Sequence, residues 1–120
     1  MDKGERLRKS SQFAEVYRKG RTWAGEFLVL KALPNKLEQN RYGYVTGKRV
    51  GNAVTRNRVK RLLREAVRSS PVKRGWDIVL IARKCTAEAD YYEIGGAVRE
   101  LLRRARILEE GRSGIEQERS

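Results

Sequence analysis

The stretch that decides the architecture is VGNAVTRNRVKRLLREAVRSS, residues 50–70. It holds six cations, Arg56, Arg58, Lys60, Arg61, Arg64 and Arg68, against a single acid, Glu65. It also holds Val59, Leu62, Leu63, Ala66 and Val67 at i, i+3, i+4, i+7 and i+8, the spacing of an apolar stripe along one side of a helix. At about 100° per residue, Asn57, Arg61, Arg64 and Arg68 project to the opposite side. Lys60 and Arg58 flank that arc, and Arg56 falls closer to the buried edge, in the first turn. Asn52 or Thr55 is expected to cap the start. Pro71 disfavours helix at Ser70 and ends the segment. A helix face that is merely solvated mixes charge signs. This one sorts aliphatic from cationic, as expected of a helix anchored on a core by one side and offering charge on the other.

The bias extends outward. The chain has 120 residues, the size of one domain with one core, and a net charge of +13. From Lys48 to Arg74 there are ten basic residues (the six above with Lys48, Arg49, Lys73 and Arg74) and again only Glu65, so most of the net charge sits in this window. Arg103, Arg104 and Arg106 form a second cluster, but Glu100, Glu109 and Glu110 offset it. Concentrated positive charge favours nucleic acid or an anionic surface as partner. There is no histidine and one cysteine, Cys85. That excludes histidine acid–base catalysis, an ordinary zinc cluster and an intrachain disulfide, and leaves Cys85 read as a buried structural thiol. No apolar run follows the charged residues 1–10 as in a signal peptide, and none approaches a membrane span, so no membrane association and a cytoplasmic location are expected.

Residues 1–9 read as loose. SSQFAEVYRKG, 10–20, reads as a helix capped by Ser10 or Ser11, with Phe13, Val16 and Tyr17 on one face. FLVLKAL, 27–33, and RYGYVTGKRV, 41–50, read as strands; the short polar loop between them suggests an antiparallel pair. RTWAGE, 21–26, offers a further strand. The apolar run at 78–82 reads as a buried central strand and residues 90–109 as a helix, with Trp23 and Trp76 at strand ends. The reading is an α+β fold: an α/β sandwich of a mixed, about four-stranded sheet with about three helices. It places a single RNA-binding domain at 1–110 and a disordered polar tail at 111–120. The segment GKRVGN, 47–52, sets Lys48, Arg49 and two glycines beside the start of the basic helix, where backbone can approach an anion closely. Arginine forks match phosphate oxygens, and Asn57 can donate and accept toward a sugar hydroxyl or base edge.

KRVGNAVTRNRVKRLLREAVR, 48–68, closely resembles the signature of the bacterial ribonuclease P protein subunit, in which an Arg-Asn-Arg core follows a Val-Gly-Asn-Ala-Val turn. LRKSSQFAEVYRKGR, RYGYVTGK and DIVLIARK resemble the family's first helix, a sheet segment and the strand after the basic helix, in the same order. The resemblance implies a fold like ribosomal protein S5 domain 2, with a left-handed βαβ crossover through the basic helix, against the usual preference. It implies that the partner is a catalytic RNA subunit, bound 1:1, and that together they remove the 5′ leader of precursor tRNA. The chemistry would be carried by that RNA and by Mg2+ held mainly by it, with no catalytic or metal-ligating residue in this chain. The RNA-binding role maps to Lys48, Arg49, Arg56, Asn57, Arg58, Lys60, Arg61, Arg64 and Arg68, and a cleft for the leader to Phe13, Tyr17 and Lys31. Gly47 stands where the family pattern often has serine, and Lys31 where some members carry an aromatic.

Two other readings compete. A ribosomal or ribosome-assembly protein shares the size, charge and fold type; the ordered motifs argue against it. A stand-alone metal nuclease needs clustered carboxylates at a cleft, whereas Asp77, Glu88, Asp90, Glu109 and Glu110 are scattered along the sequence.

Overall fold

A computed structural model describes residues 4–109; the expected tail at 111–120 lies outside the described residues. The elements in chain order are β1 (Glu5–Arg6), α1 (Ser10–Lys19), β2 (Arg21–Ala24), β3 (Leu28–Pro34), β4 (Arg41–Thr46), α2 (Ala53–Arg68), β5 (Trp76–Ala82) and α3 (Tyr91–Arg104). Two 3-10 turns, Lys48–Val50 and Lys84–Glu88, follow β4 and β5. The strands form one mixed sheet in the order β1-β4-β5-β3-β2: β4 runs parallel to β1 and β5, and β3 antiparallel to β5 and β2. The α+β class and the mixed sheet are as read from sequence, with a fifth strand added.

β5 explains the order. Its run Ile78-Val79-Leu80-Ile81-Ala82 is apolar on both faces, so it needs cover above, below and along both edges. Only a central lane gives all of these. The expected pairing of residues 27–33 with 41–50 is therefore wrong: β3 and β4 are antiparallel in direction, but β5 lies between them. A direct β3–β4 pair would have left β5 with an open edge. The loop from β3 to β4 instead spans the start of β5 and is fastened to it. Asn40, almost fully buried, accepts the Trp76 N–H at 2.8 Å and donates to Lys73 O at 2.9 Å. Asn35 N–H donates to Gly75 O at 2.9 Å.

Alternation divides the sheet into two faces. Leu28, Leu30 and Ala32 of β3 join Ile78 and Leu80 of β5 beneath α2 and α3. On the other face Val79 packs with Leu7 and with Val16 of α1. Each fully buried aliphatic contributes roughly 1.5–3 kcal/mol by removal from water. Residues 1–9 are not all loose as expected: Glu5 and Arg6 pair with Arg41 and Tyr42, and Leu7 is buried under α1. One apolar side chain in a charged stretch suffices to seat a strand when an unpaired edge lies beside it.

Asn52 caps α2, its side chain accepting the Thr55 N–H at 2.9 Å. Asp90 caps α3 in a reciprocal box with Glu93. α3 ends at Arg104, short of the expected residue 109, because Arg106 turns at φ 64°. That turn buries Ile107 and lets Leu108 bridge Val72. Cys85, expected to be buried, is exposed in the turn after β5, where its thiol donates to Glu26 O at 3.3 Å.

Asp77 anchors the start of β5. It accepts from Arg41 Nε at 2.8 Å, Arg41 Nη2 at 2.7 Å and Asn35 Nδ2 at 2.9 Å. That hydrogen bonding holds the Arg41 pKa above its usual value. Asp77→Ala strands these donors and is expected to lower the unfolding free energy by about 2–3 kcal/mol with unchanged cooperativity. Urea denaturation measures it, and an unshifted midpoint would show that the pair contributes nothing.

Candidate nucleic-acid interface

The stripe read from sequence is the buried side of α2: Val59, Leu63, Ala66 and Val67 are sealed, with Leu62 at the margin. The remaining side chains emerge away from the sheet. Asn57, Arg61 and Arg68 are exposed, and Arg56, Lys60 and Arg64 are half-buried, as expected of long stems lying along the helix with their charges in water. Lys48 and Arg49 are exposed in the 3-10 turn before the helix. Gly51 joins that turn to α2 at φ 151°, a backbone region that other residues rarely adopt.

Among the described residues, no cation of α2 or of its preceding turn forms an ion pair. The pairs formed are Arg18 and Lys19 with Glu15, Arg41 with Asp77, and Arg103 with Glu100. The contrast with α1 is instructive. There Lys19, and with it Arg18, holds the Glu15 carboxyl below the usual carboxylate range, so part of the local charge is offset. Among the described residues the positive charge on α2 has no such internal partner, and a helix of 16 residues carries it.

Arg58 differs from its neighbours. Its guanidinium turns toward the segment after β5 and donates to Ala89 O at 2.7 Å and, more weakly, to Ala87 O at 3.4 Å. Part of its donor capacity fastens that segment to α2, a use that its flanking position on the arc does not reveal. The same packing exposes what the sequence reading missed. β4 and β5 are parallel with Thr46 opposite Ala82, so both strands end at the same edge of the sheet. Arg83 and Lys84 thereby line one shallow hollow with Arg49. The detectable signal was their place directly after a strand parallel to the one that precedes Lys48.

α1 and its aromatic side chains lie on the opposite face. The Phe13 ring lies so close over Gly43 that a Cβ there would sit 2.4 Å from Phe13 Cε1. Tyr17 is 44% exposed, its ring centroid 6.5 Å from that of Phe13. Lys31 reaches across from β3, its Nζ 5.8 Å from the Tyr17 ring centre and donating to Thr22 Oγ1 at 2.9 Å. The structure thus brings Phe13, Tyr17 and Lys31 together and separates their roles: Phe13 is partly core, while Tyr17 offers a ring to solvent. Val29, Ile81 and Val45 share a half-buried rung on the same sheet face.

Asp77 is spoken for, and no group of three or more His, Cys, Asp or Glu among the described residues could hold a metal ion. No helix among them is long and apolar enough to cross a membrane.

A cationic helix bedded on one face of a mixed sheet, with a pair of neighbouring aromatic rings on the other, defines a class of small basic α+β proteins. Within it, a family model described as Ribonuclease P matches residues 1–106. The chain is 44% identical over 108 residues to the ribonuclease P protein component of Dehalococcoides mccartyi strain CBDB1, covering 90% of each chain. It is 40% identical over 111 residues to that of Caldanaerobacter subterraneus subsp. tengcongensis, covering 91% of this chain and 96% of the other. Among solved structures it is similar to the RNase P protein of Staphylococcus aureus (TM-score 0.80, 31% identity, 89% of this chain and all of the other). It is likewise similar to that of Thermotoga maritima (TM-score 0.77, 30% identity, 83% and 96%). The chain belongs to the ribonuclease P protein component family.

Arg58→Ala is expected to cost about 1–2 kcal/mol of stability, since two backbone carbonyls lose a charged donor. Arg61→Ala should change it by no more than about 0.5 kcal/mol. Denaturant titration of both variants distinguishes them, and equal losses would return Arg58 to the set of merely exposed cations.

Proposed function

We propose that this chain grips the RNA subunit of ribonuclease P through α2 and its preceding turn, and the 5′ leader of precursor tRNA through the surface beside α1 that carries Phe13, Tyr17 and Lys31. In this reading the protein makes and breaks no bond. Lys48, Arg49, Arg56, Lys60, Arg61, Arg64 and Arg68 neutralise phosphates of the RNA subunit, each neutralisation releasing counterions. Arg58 adds charge and keeps the neighbouring segment in place, and Asn57 meets a sugar hydroxyl or base edge. Tyr17 stacks on leader bases, which grips without reading sequence because every base has a ring face. Lys31 meets a leader phosphate, and Phe13 backs the Tyr17 ring. Magnesium ions, held mainly by RNA phosphates, supply the activated water and the stabilised leaving oxygen. By neutralising phosphates the protein lowers the magnesium concentration that the RNA needs. A 1:1 complex in the cytoplasm is the natural setting for this work.

The single observation that carries the proposal is the cationic face of α2, which forms no ion pair among the described residues. The direct test is reconstitution: the chain with its RNA subunit should remove 5′ leaders at magnesium concentrations where the RNA alone is slow. No acceleration would contradict it, and cleavage by the chain free of RNA would revive the stand-alone nuclease. Sequencing of RNA recovered with the chain tests the ribosomal reading, which ribosomal RNA as the dominant ligand would support.

Two variants separate the faces. Arg61→Ala should weaken binding to the RNA subunit and reduce the salt slope by up to about 0.9; an unchanged slope argues against the assigned face. Tyr17→Ala should weaken binding of precursor tRNA by roughly tenfold while leaving mature tRNA nearly unaffected. Because Tyr17 is exposed, equal losses for both substrates would assign it no leader contact.

A further inference from the structure

We propose that a pocket at the β1–β4 edge seats one unstacked nucleotide of the RNA, its base against Tyr44 and its phosphate among Arg6, Arg64 and Arg68. This rests on RNA being the partner of α2, and it adds a defined site to a face otherwise described by charge alone.

The pocket is a cavity of about 160 Å³ where β1, β4 and the C-terminal half of α2 meet. That is below the several hundred Å³ typical of pockets for drug-sized ligands, and suits a single flat group. Tyr42 and Val67, both nearly fully buried, form its base. Tyr44 is half-buried, and its ring lies 6.3 Å from that of Tyr42, inclined by only 18°. An aliphatic side chain would fill this sheet edge equally well; a tyrosine lining the cavity adds an aromatic ring against which a base can stack.

The walls are fixed before any ligand arrives. Glu5 N–H donates to Asn40 O at 2.8 Å and Leu7 N–H to Tyr42 O at 2.8 Å, which zips β1 onto β4. Gly4 lies directly on the Tyr42 ring, where a Cβ would sit 2.6 Å from Tyr42 Cε2. Strand register then sorts the charges. Arg6 is opposite Tyr42 and so faces α2, while Glu5 is opposite Arg41 and faces the other side of the sheet, where its charge adds to the rise in the Arg41 pKa. The rim therefore gathers Arg6 from β1 with Arg64 and Arg68 from α2, and among the described residues none of the three forms an ion pair. Guanidinium forks around a ring face make a site with two chemistries, one for a phosphate and one for a base. RNA loops and bulges present that pair of groups together, with the base splayed from its stack.

The test is the affinity of the chain for its RNA subunit across a series of salt concentrations, with Arg61→Ala as the reference for the parent reading. Tyr44→Leu should bind about five- to tenfold more weakly with an unchanged salt slope, because stacking rather than charge is lost. Tyr44→Phe, which keeps the ring, should bind within about twofold of the wild type. Arg6→Ala should weaken binding and lower the slope by roughly 0.7–0.9. Ultraviolet crosslinking of the unaltered chain, read by mass spectrometry, should place a nucleotide on residues 42–44, which keeps the test independent of how the variants fold. Wild-type affinity of Tyr44→Leu, or adducts on α2 with none at 42–44, would overturn the pocket while leaving the α2 interface standing. A loss confined to Arg6→Ala would overturn the seated base. If Arg61→Ala alone binds like the wild type, the parent reading fails instead.

Discussion

The stripe of Val59, Leu63, Ala66 and Val67 against the sheet is the constraint on which the rest depends. Burying those four side chains fixes the rotation of α2 about its axis, and that rotation decides which residues can meet a partner. Among the described residues, no acid forms an ion pair with the cations that this rotation turns outward. Internal pairing would have been the simplest way to stabilise such a surface. α1 does this with Glu15, and α3 does it with Glu100. Leaving α2 unpaired keeps its cations in mutual repulsion, a modest cost to the fold in water that an approaching polyanion reverses.

β5 holds the two working faces apart. Its central lane, apolar above and below, lets α2 and α3 occupy one side of the sheet and α1 the other. In the proposed reading, a folded RNA on the α2 side and a single strand on the α1 side do not compete for the same surface. The parallel run of β4 and β5 also delivers two basic turns to one edge, so the cationic region is wider than the helix. Arg58 ties that edge together through backbone carbonyls that no pattern of side chains would reveal.

The sequence made periodic elements legible and left neighbour relations hidden. α2 could be read nearly to the residue, since a 3.6-residue stripe, an Asn cap and a following proline all agree. β5 could be read because it is apolar throughout. The misplaced β3–β4 pair shows the limit: adjacency in sequence suggests pairing, but a later and more apolar strand takes the central place. β1 was invisible because two residues carry no period, and Leu7 alone marked it. Phe13 and Tyr17 looked equivalent at i and i+4, and only Gly43 beneath one ring and solvent beside the other tells them apart. Cys85 was misjudged because average burial of cysteine says nothing about a residue just past a strand end. The cations of α2 lie on or beside the outward side, where periodicity placed them, and Arg58 makes a further contact that required the fold to see.

If α2 meets RNA with the side it turns away from the sheet, RNA shields the lysines on that side. Lysine-acetylation footprinting of the chain alone and with its RNA subunit tests this most directly. Lys48 and Lys60 should lose reactivity in the complex, while Lys19 on α1 and Lys36 in the loop before β4 keep theirs. Protection of Lys19 and Lys36, with Lys48 and Lys60 still reactive, would contradict it.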